Sequence, residues 1–240
     1  MLSADLVRRA AALERWLLPG SCLLCQEPVG PADPLVCDLC RSRWRRIADP
    51  VCDRCGQPRH LDLPCRLCPD WPAALVRVRS ATWLDAPARR AVHALKYEGW
   101  RRVAEPMAAA MRAGLPGGGN WILVPVPLTP GKERRRGYNQ AAMLAEALAN
   151  RAGAAWRSDL LSRVRETPTQ TALTPQARAA NVAGAFQAAR CPGLRLVLVD
   201  DVFTTGATLA AAAEALAKGG AGAVAAVTFA RAREPLAGNG

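Results

Sequence analysis

Leu196-Val197-Leu198-Val199-Asp200-Asp201-Val202-Phe203-Thr204-Thr205-Gly206-Ala207-Thr208-Leu209 decides how this chain is built. Four aliphatic residues in a row predict a strand buried on both faces, as in a parallel sheet covered by helices. Two carboxylates follow where the strand should emerge, and a Thr-Thr-Gly-Ala-Thr turn then opens a helix. The N–H groups and hydroxyls of such a turn can cradle a phosphate at the positive end of the helix, and Gly206 lets the backbone come close to the ligand. The paired acids can accept hydrogen bonds from sugar hydroxyls. A plain strand, turn and helix with threonine caps and solvated aspartates is the bland alternative. It leaves unexplained why two acids crowd the mouth of an apolar strand.

Outward from that unit, apolar stretches alternate with Ala-rich ones. Strands are expected near Val76 to Trp83, Trp121 to Val126, Arg195 to Asp200 and Val224 to Ala230, with helices near Pro87 to Ala113, Asn139 to Ala152 and Gly206 to Lys218. The alternation predicts an α/β domain over residues 73–240, built on a mainly parallel sheet that binds ligands beyond its carboxyl ends. The run Lys132 to Arg136 follows the second expected strand, so it is predicted to form a loop at the same sheet edge. Guanidinium groups chelate phosphate oxygens bidentately, which suits a pyrophosphate; an exposed, solvated loop accounts for the run equally well. Arg134, Arg136 and Asn139 are the anion-binding candidates, with Lys96 as a fourth. His93, three residues before Lys96 on an expected helix, reads as a packed or surface histidine.

Eight of the nine cysteines form four C-x-x-C pairs before residue 70: Cys22/Cys25, Cys37/Cys40, Cys52/Cys55 and Cys65/Cys68. Each pair can present two thiolates to one metal from a tight turn, and two such turns complete a tetrahedron around Zn²⁺. Four pairs imply two structural zinc ions in a module spanning residues 21–72. Consecutive pairing leaves eleven residues between Cys25 and Cys37 and nine between Cys55 and Cys65, room for short ribbon hairpins; interleaved pairing fits the spacing too. A disulfide framework needs an oxidising compartment, and redox chemistry uses a single pair beside a βαβ unit, so zinc ranks first. His60 could replace a thiolate but reads as a loop residue beside a full cysteine set. The segment Arg41 to Arg46 reads as a solvated helix face or a weak nucleic-acid patch. Closed Cys₄ sites have no open coordination position, so this zinc is not expected to be catalytic.

Residues 196 to 208 resemble the signature of the type I phosphoribosyltransferases, which bind 5-phosphoribosyl 1-pyrophosphate (PRPP). Carried over residue by residue, the resemblance implies a PRPP site at Val199, Asp200, Asp201, Thr204, Thr205, Gly206, Ala207 and Thr208, with Asp200 and Asp201 facing the ribose hydroxyls and acting in catalysis. Further motifs are Val124-Pro125-Val126-Pro127, Arg134 to Gln140, Ala94 to Gly99, Thr167 to Thr171 and Arg178 to Val182. Together with the tandem cysteines, they make nearly the whole chain similar to the ComF family of competence-associated proteins. That resemblance implies a double zinc ribbon joined to a phosphoribosyltransferase-like domain, linked to natural transformation and the handling of incoming single-stranded DNA. It further implies Mg²⁺ as a second cofactor, and a competence helicase or other DNA-uptake proteins as partners. Two functions are expected: phosphoribosyl transfer to an unidentified acceptor, or non-catalytic binding of PRPP and single-stranded DNA. The acceptor is expected to be roofed by the zinc module or the segment from Leu160 to Asn181.

Composition narrows the field. Half of the 240 residues are hydrophobic and 22% are charged, which supports packed cores rather than disorder. No stretch is apolar enough for a membrane span, no Walker A loop occurs, and charges among the first twenty leucine-rich residues argue against a secretory signal. A cytoplasmic location is therefore expected. Leu2, Leu6, Leu13, Trp16 and Leu17 share one face of an expected amphipathic helix within residues 1–20. The net charge of +12 is uneven: residues 1–70 hold 10 basic against 9 acidic side chains, residues 71–240 hold 22 against 11. Such a field favours anionic partners without choosing between nucleotides and nucleic acid.

Overall fold

The computed structural model describes residues 20–29, 35–59, 64–165 and 182–233. The expected N-terminal helix, His60 and most of the Leu160 to Asn181 segment lie outside them. Strands β1 (Leu75–Trp83), β2 (Trp121–Pro125), β3 (Ala155–Trp156), β6 (Arg195–Phe203) and β7 (Ala223–Arg231) form one parallel sheet in the order β1-β7-β6-β2-β3. Strands β4 (Leu161–Arg163) and β5 (Phe186–Ala188) pair as a separate antiparallel ribbon. The chain moves from β2 to β3 through α5 (Gln140–Ala152) and from β6 to β7 through α6 (Ala207–Lys218). Those two connections leave in opposite directions, so a crevice opens between the carboxyl ends of β2 and β6.

Alternation along β6 builds both sides of the sheet. Val197 and Val199 pack with Leu144 and Leu148 of α5, while Leu196 and Leu198 pack with Leu209, Ala212 and Leu216 of α6. The same alternation sends Asp200 and Asp201 in different directions. β6 runs three residues past its expected end at Asp200, because β7 continues to pair with it as far as Phe203 opposite Arg231.

The long helix expected from Pro87 to Ala113 is divided. α2 (Ala86–Tyr97) starts at the cap Asp85 and stops before Gly99, whose φ of +75° is left-handed; a 3₁₀ turn (Arg101–Val103) leads into α3 (Ala104–Met111). The arginine run is a helix rather than the expected loop. Thr129 caps α4 (Pro130–Arg136) by accepting from the Lys132 amide, Pro130 takes the first turn, and the three arginines fall at the C-terminal end, where cations complement the helix dipole.

The two cysteine ribbons repeat one another. In each, the first cysteine donates its amide five residues on, to Glu27 or Gln57, and its carbonyl accepts from the amide four residues on, Gln26 or Gly56. The first ribbon carries α1 (Asp38–Ser42) and reaches the sheet through Trp44, edge-on to Phe229 at 4.8 Å, and through the Arg45 carbonyl, which accepts from Trp83 N and Thr82 Oγ1. The second lies against β1, where the Arg54 carbonyl accepts from Val78 N at 2.6 Å.

Candidate functional site

At the crevice between β2 and β6, Asp200, Asp201, Thr204 and Thr208 line one cavity of about 410 Å³ together with Lys96, Tyr97, Val126, Gln140 and Arg163. Two carboxylates and the two ends of the threonine turn are thus brought to one concavity, whereas Thr205, Gly206 and Ala207 between them do not line it. Gly206 sits in the left-handed region at φ +82° and gives that twelve-residue helix, α6, no capping side chain, so its first amides must find partners in the turn before it or in a ligand. Thr205 Oγ1 accepts from Ala207 N at 3.4 Å and fixes the turn. Val199, by contrast, is fully buried, and its carbonyl accepts from Val126 N at 2.9 Å, so it belongs to the sheet rather than to the cavity wall.

Asp201 is 2% exposed, forms an ion pair with Lys96 and accepts from Gln140 Nε2 at 3.2 Å. Burial works against the charge of Lys96, but the Asp201 carboxylate, with Asp200 behind it, holds its pKa above the ordinary lysine value. Lys96 is therefore a partner of the acids before it can be an anion ligand. Asp200 accepts at Oδ1 from the Asp201 amide at 2.8 Å. Burial, followed by the neighbouring Asp201 charge, pushes its carboxyl well above the usual carboxylate range, and Lys96 offsets this only in part.

A second basin of about 750 Å³ adjoins the first, sharing Lys96, Tyr97, Leu128 and Gln140 and adding Lys132, Arg135, Arg136 and Tyr138. Arg136 donates to Gln140 Oε1, so a continuous polar line runs Arg136, Gln140, Asp201, Lys96. The Arg136 guanidinium also lies over the Tyr97 ring at 5.3 Å, and Tyr138 donates its hydroxyl to the Leu95 carbonyl. Of the expected anion ligands, Arg136 lines this basin, whereas exposed Arg134 does not. Asn139 lines neither cavity, because it caps α5: its amide nitrogen donates to the Val126 carbonyl at 3.1 Å and its oxygen accepts from Ala141 N at 2.9 Å. Arg135, Lys132 and Gln140 were not among the expected ligands, although spacing at i, i+3 and i+4 along a helix from Lys132 would have found the first two.

The cysteines gather as Cys22/Cys25/Cys37/Cys40 and Cys52/Cys55/Cys65/Cys68, with all four sulfurs of each set within 4.8 Å of one another. Pairing is consecutive, not interleaved. Sulfur separations of 3.8 Å (Cys25–Cys37), 3.8 Å (Cys52–Cys68) and 3.4 Å (Cys55–Cys65) approach the roughly 3.8 Å tetrahedral edge implied by zinc–sulfur bonds of about 2.3 Å. Backbone N–H groups of Leu24 and Cys37 point at Cys22 Sγ at 3.4 Å. Burial opposes ionisation of this thiol, yet backbone hydrogen bonds outweigh it and lower the pKa to about 6; the balance at Cys52 lowers it to about 7. In each set one thiol is thereby eased toward the thiolate form that binds metal, and both sets fit structural Zn²⁺.

A parallel sheet with its switch-point crevice behind an acid-acid-threonine turn, joined to paired Cys₄ ribbons, defines a phosphoribosyltransferase-fold protein with a double zinc ribbon. Residues 13–69 match the family described as Double zinc ribbon domain, and residues 138–237 match Phosphoribosyl transferase domain. The chain is 35% identical over 218 residues to the DNA utilization protein YhgH of Salmonella typhi, covering 86% of this chain and 95% of that one. It is 28% identical to the competence protein ComFC of Bacillus subtilis, over 83% of this chain and 85% of the relative. Competence protein F of Haemophilus influenzae is 40% identical over 91 residues, 36% of this chain and 40% of the relative. The chain belongs to the ComF family. Among the described residues, no helix is long and apolar enough to cross a membrane.

Proposed function

We propose that the protein binds PRPP with Mg²⁺ in the β2/β6 crevice and transfers the phosphoribosyl group to an acceptor. The observation that supports this best is the meeting of Asp200, Asp201, Thr204 and Thr208 on one cavity that opens into a basin lined by Lys132, Arg135 and Arg136. On this reading the 5′-phosphate sits on the turn amides and threonine hydroxyls, and the ribose hydroxyls donate to Asp200. The pyrophosphate occupies the basic basin. The bond from ribose C1 to pyrophosphate breaks with its electron pair leaving on pyrophosphate, and an acceptor lone pair forms the new bond to C1. Asp201, held by Lys96 and Gln140, keeps negative charge beside the developing oxocarbenium centre. Mg²⁺, when bound, supplies charge neutralisation on the pyrophosphate oxygens. The high pKa of Asp200 fits a place for a cation, since adjacent positive charge would relieve it.

Calorimetric titration of the purified chain with PRPP and Mg²⁺, followed by pyrophosphate release with candidate acceptors, tests the proposal. Saturable binding that weakens at least about tenfold in Asp200→Asn/Asp201→Asn is expected; a wild-type chain without PRPP binding overturns it.

A second reading is favoured by the rim of the basin. There Tyr97 is 68% exposed beneath the Arg136 guanidinium, and Trp100, next in the chain to the lining residue Gly99, is 45% exposed, a pairing of rings and cations that suits stacked bases and phosphates. The relatives' names, DNA utilization protein and competence protein, add support for DNA handling; on this reading the chain holds single-stranded DNA beside other DNA-uptake proteins, a competence helicase among them. Three or four phosphate contacts would give a log–log salt slope of about −2 to −3 for oligonucleotide binding. A flat response removes this reading. Thiolate zinc sites persist in a reducing compartment, which supports work in the cytoplasm.

A further inference from the structure

Arg54, inside the Cys52-x-x-Cys55 knuckle, spreads its guanidinium over the chain that leaves the second ribbon. It donates to the carbonyls of Cys68 at 2.9 Å, Trp71 at 2.9 Å, Pro72 at 2.7 Å and Leu75 at 3.1 Å. Trp71 is thereby fastened to the metal knuckle, and its ring covers the threonine turn. A Cβ at Gly206 would overlap Trp71 Cζ2, and the Trp71 ring lies 6.0 Å from that of Phe203, the residue before Thr204.

A second route joins the same two places. Arg231, 1% exposed, lays its guanidinium over Phe203 at 4.1 Å while donating to the Cys55 carbonyl at 2.8 Å and to Gln57 Oε1 at 2.6 Å. Ala232 N donates to the Phe203 carbonyl at 2.8 Å. Phe203 is therefore gripped by groups that themselves hang on Cys55 and Cys68. The first ribbon meets the sheet at Phe229, Thr82 and Trp83 instead, and among the described residues it makes no hydrogen bond or ring contact with residues 203–208.

We propose that metal in the second cysteine cluster and ligand in the threonine turn stabilise each other, with Trp71 as the positioning residue, while the first cluster stands outside this coupling. The inference rests on the PRPP reading for the identity of the ligand. Its physical basis is that thiolate binding free energy is folding free energy in such a knuckle. Without metal, Arg54 and the Cys68 to Leu75 tether lose their anchor. Trp71 then no longer covers Gly206, and the turn spends less time in the shape that presents its amides. Affinity falls with the competent fraction, and the effect must run equally in reverse.

The test uses the full-length, zinc-loaded chain. It is challenged with a zinc-selective chelator with and without PRPP, and each cysteine's alkylation is followed by mass spectrometry. PRPP should slow modification of Cys52, Cys55, Cys65 and Cys68 by about fivefold or more and leave Cys22, Cys25, Cys37 and Cys40 unchanged. Equal protection of both clusters, or none, overturns the proposal. Trp71→Ala should retain two zinc ions, bind PRPP about tenfold more weakly and lose the selective protection, with Trp71→Phe intermediate; wild-type affinity in Trp71→Ala overturns it. If wild-type protein binds no PRPP, it is the functional reading that fails. Amide exchange over residues 204–208 then still decides the coupling: it should quicken only when the second cluster is emptied, and an unchanged rate sinks the inference.

Discussion

Alternation along β6 turns Asp201 toward Lys96 and Gln140, while Asp200 accepts from the adjacent amide and feels Arg163 across the cavity. Removing a charge therefore has opposite consequences at the two positions. Asp200 has a raised pKa in the folded chain, so its stabilising contribution is full below the ordinary aspartate value of about 3.9 and is lost as pH rises through the raised value. Asp200→Asn should increase the thermal midpoint at pH 7 by roughly 2–4 °C, the response to about 1 kcal/mol in a chain of this size. The gain should vanish near pH 4, while PRPP affinity falls at neutral pH. A midpoint that drops at pH 7 would show that the Asp200 carboxylate is stabilised rather than strained.

Lys96→Met leaves Asp201 without its cation inside the fold. A loss of about 3 kcal/mol is expected, the low end for a buried pair because Lys96 keeps some exposure. Adding Asp201→Asn should recover much of it, and denaturant unfolding of the single and double variants measures the recovery. Additive losses would mean the two groups do not interact. The identity of the acids was legible in the sequence, but their division of labour was not. It depends on Lys96 and Gln140, which lie on other elements more than sixty residues away or more than one hundred.

α4 shows what local pattern can and cannot supply. Its place just after the second expected strand suggested a loop, yet Thr129 before Pro130 is a cap followed by a residue suited to the first helical turn. Once helical, the run from Lys132 to Arg136 divides by face: Lys132, Arg135 and Arg136 line the basin, and exposed Arg134 does not. Arg135→Ala and Arg136→Ala should each weaken PRPP binding about tenfold, the effect of losing a charged hydrogen bond of roughly 1.5 kcal/mol, whereas Arg134→Ala should leave it unchanged. Asn139→Ala should instead lower stability by about 1 kcal/mol as a lost helix cap, visible in denaturant unfolding. Should Arg134→Ala be the variant that loses affinity, the assignment of faces on α4 is wrong.

Across the whole molecule, the ribbons clamp the sheet instead of trailing from it. Trp44 and Arg45 reach β7 and β1 from the first ribbon, while Arg54, Gln57 and the Cys55 carbonyl do so from the second. Elemental analysis should find two zinc ions per chain, and Cys22→Ser should leave one. The thermal midpoint should then fall by about 5 °C or more, since each kcal/mol moves it by roughly 2–4 °C and a lost ribbon removes several. A Cys22→Ser chain that still binds two zinc ions would refute the consecutive ligand sets.

The sequence by itself determined whatever is written in short-range chemistry: four paired thiols, an apolar strand ending in acids, a threonine-glycine turn, and alternating elements that build a parallel sheet. Only the tertiary structure decided which cysteine pairs share a cluster, that Asn139 serves a helix, that Lys96 belongs to Asp201, and that Trp71 closes over Gly206. The reason is one of range. Propensities, caps and metal spacing act over a few residues, but burial and charge pairing depend on neighbours that only the crossovers of the sheet bring together.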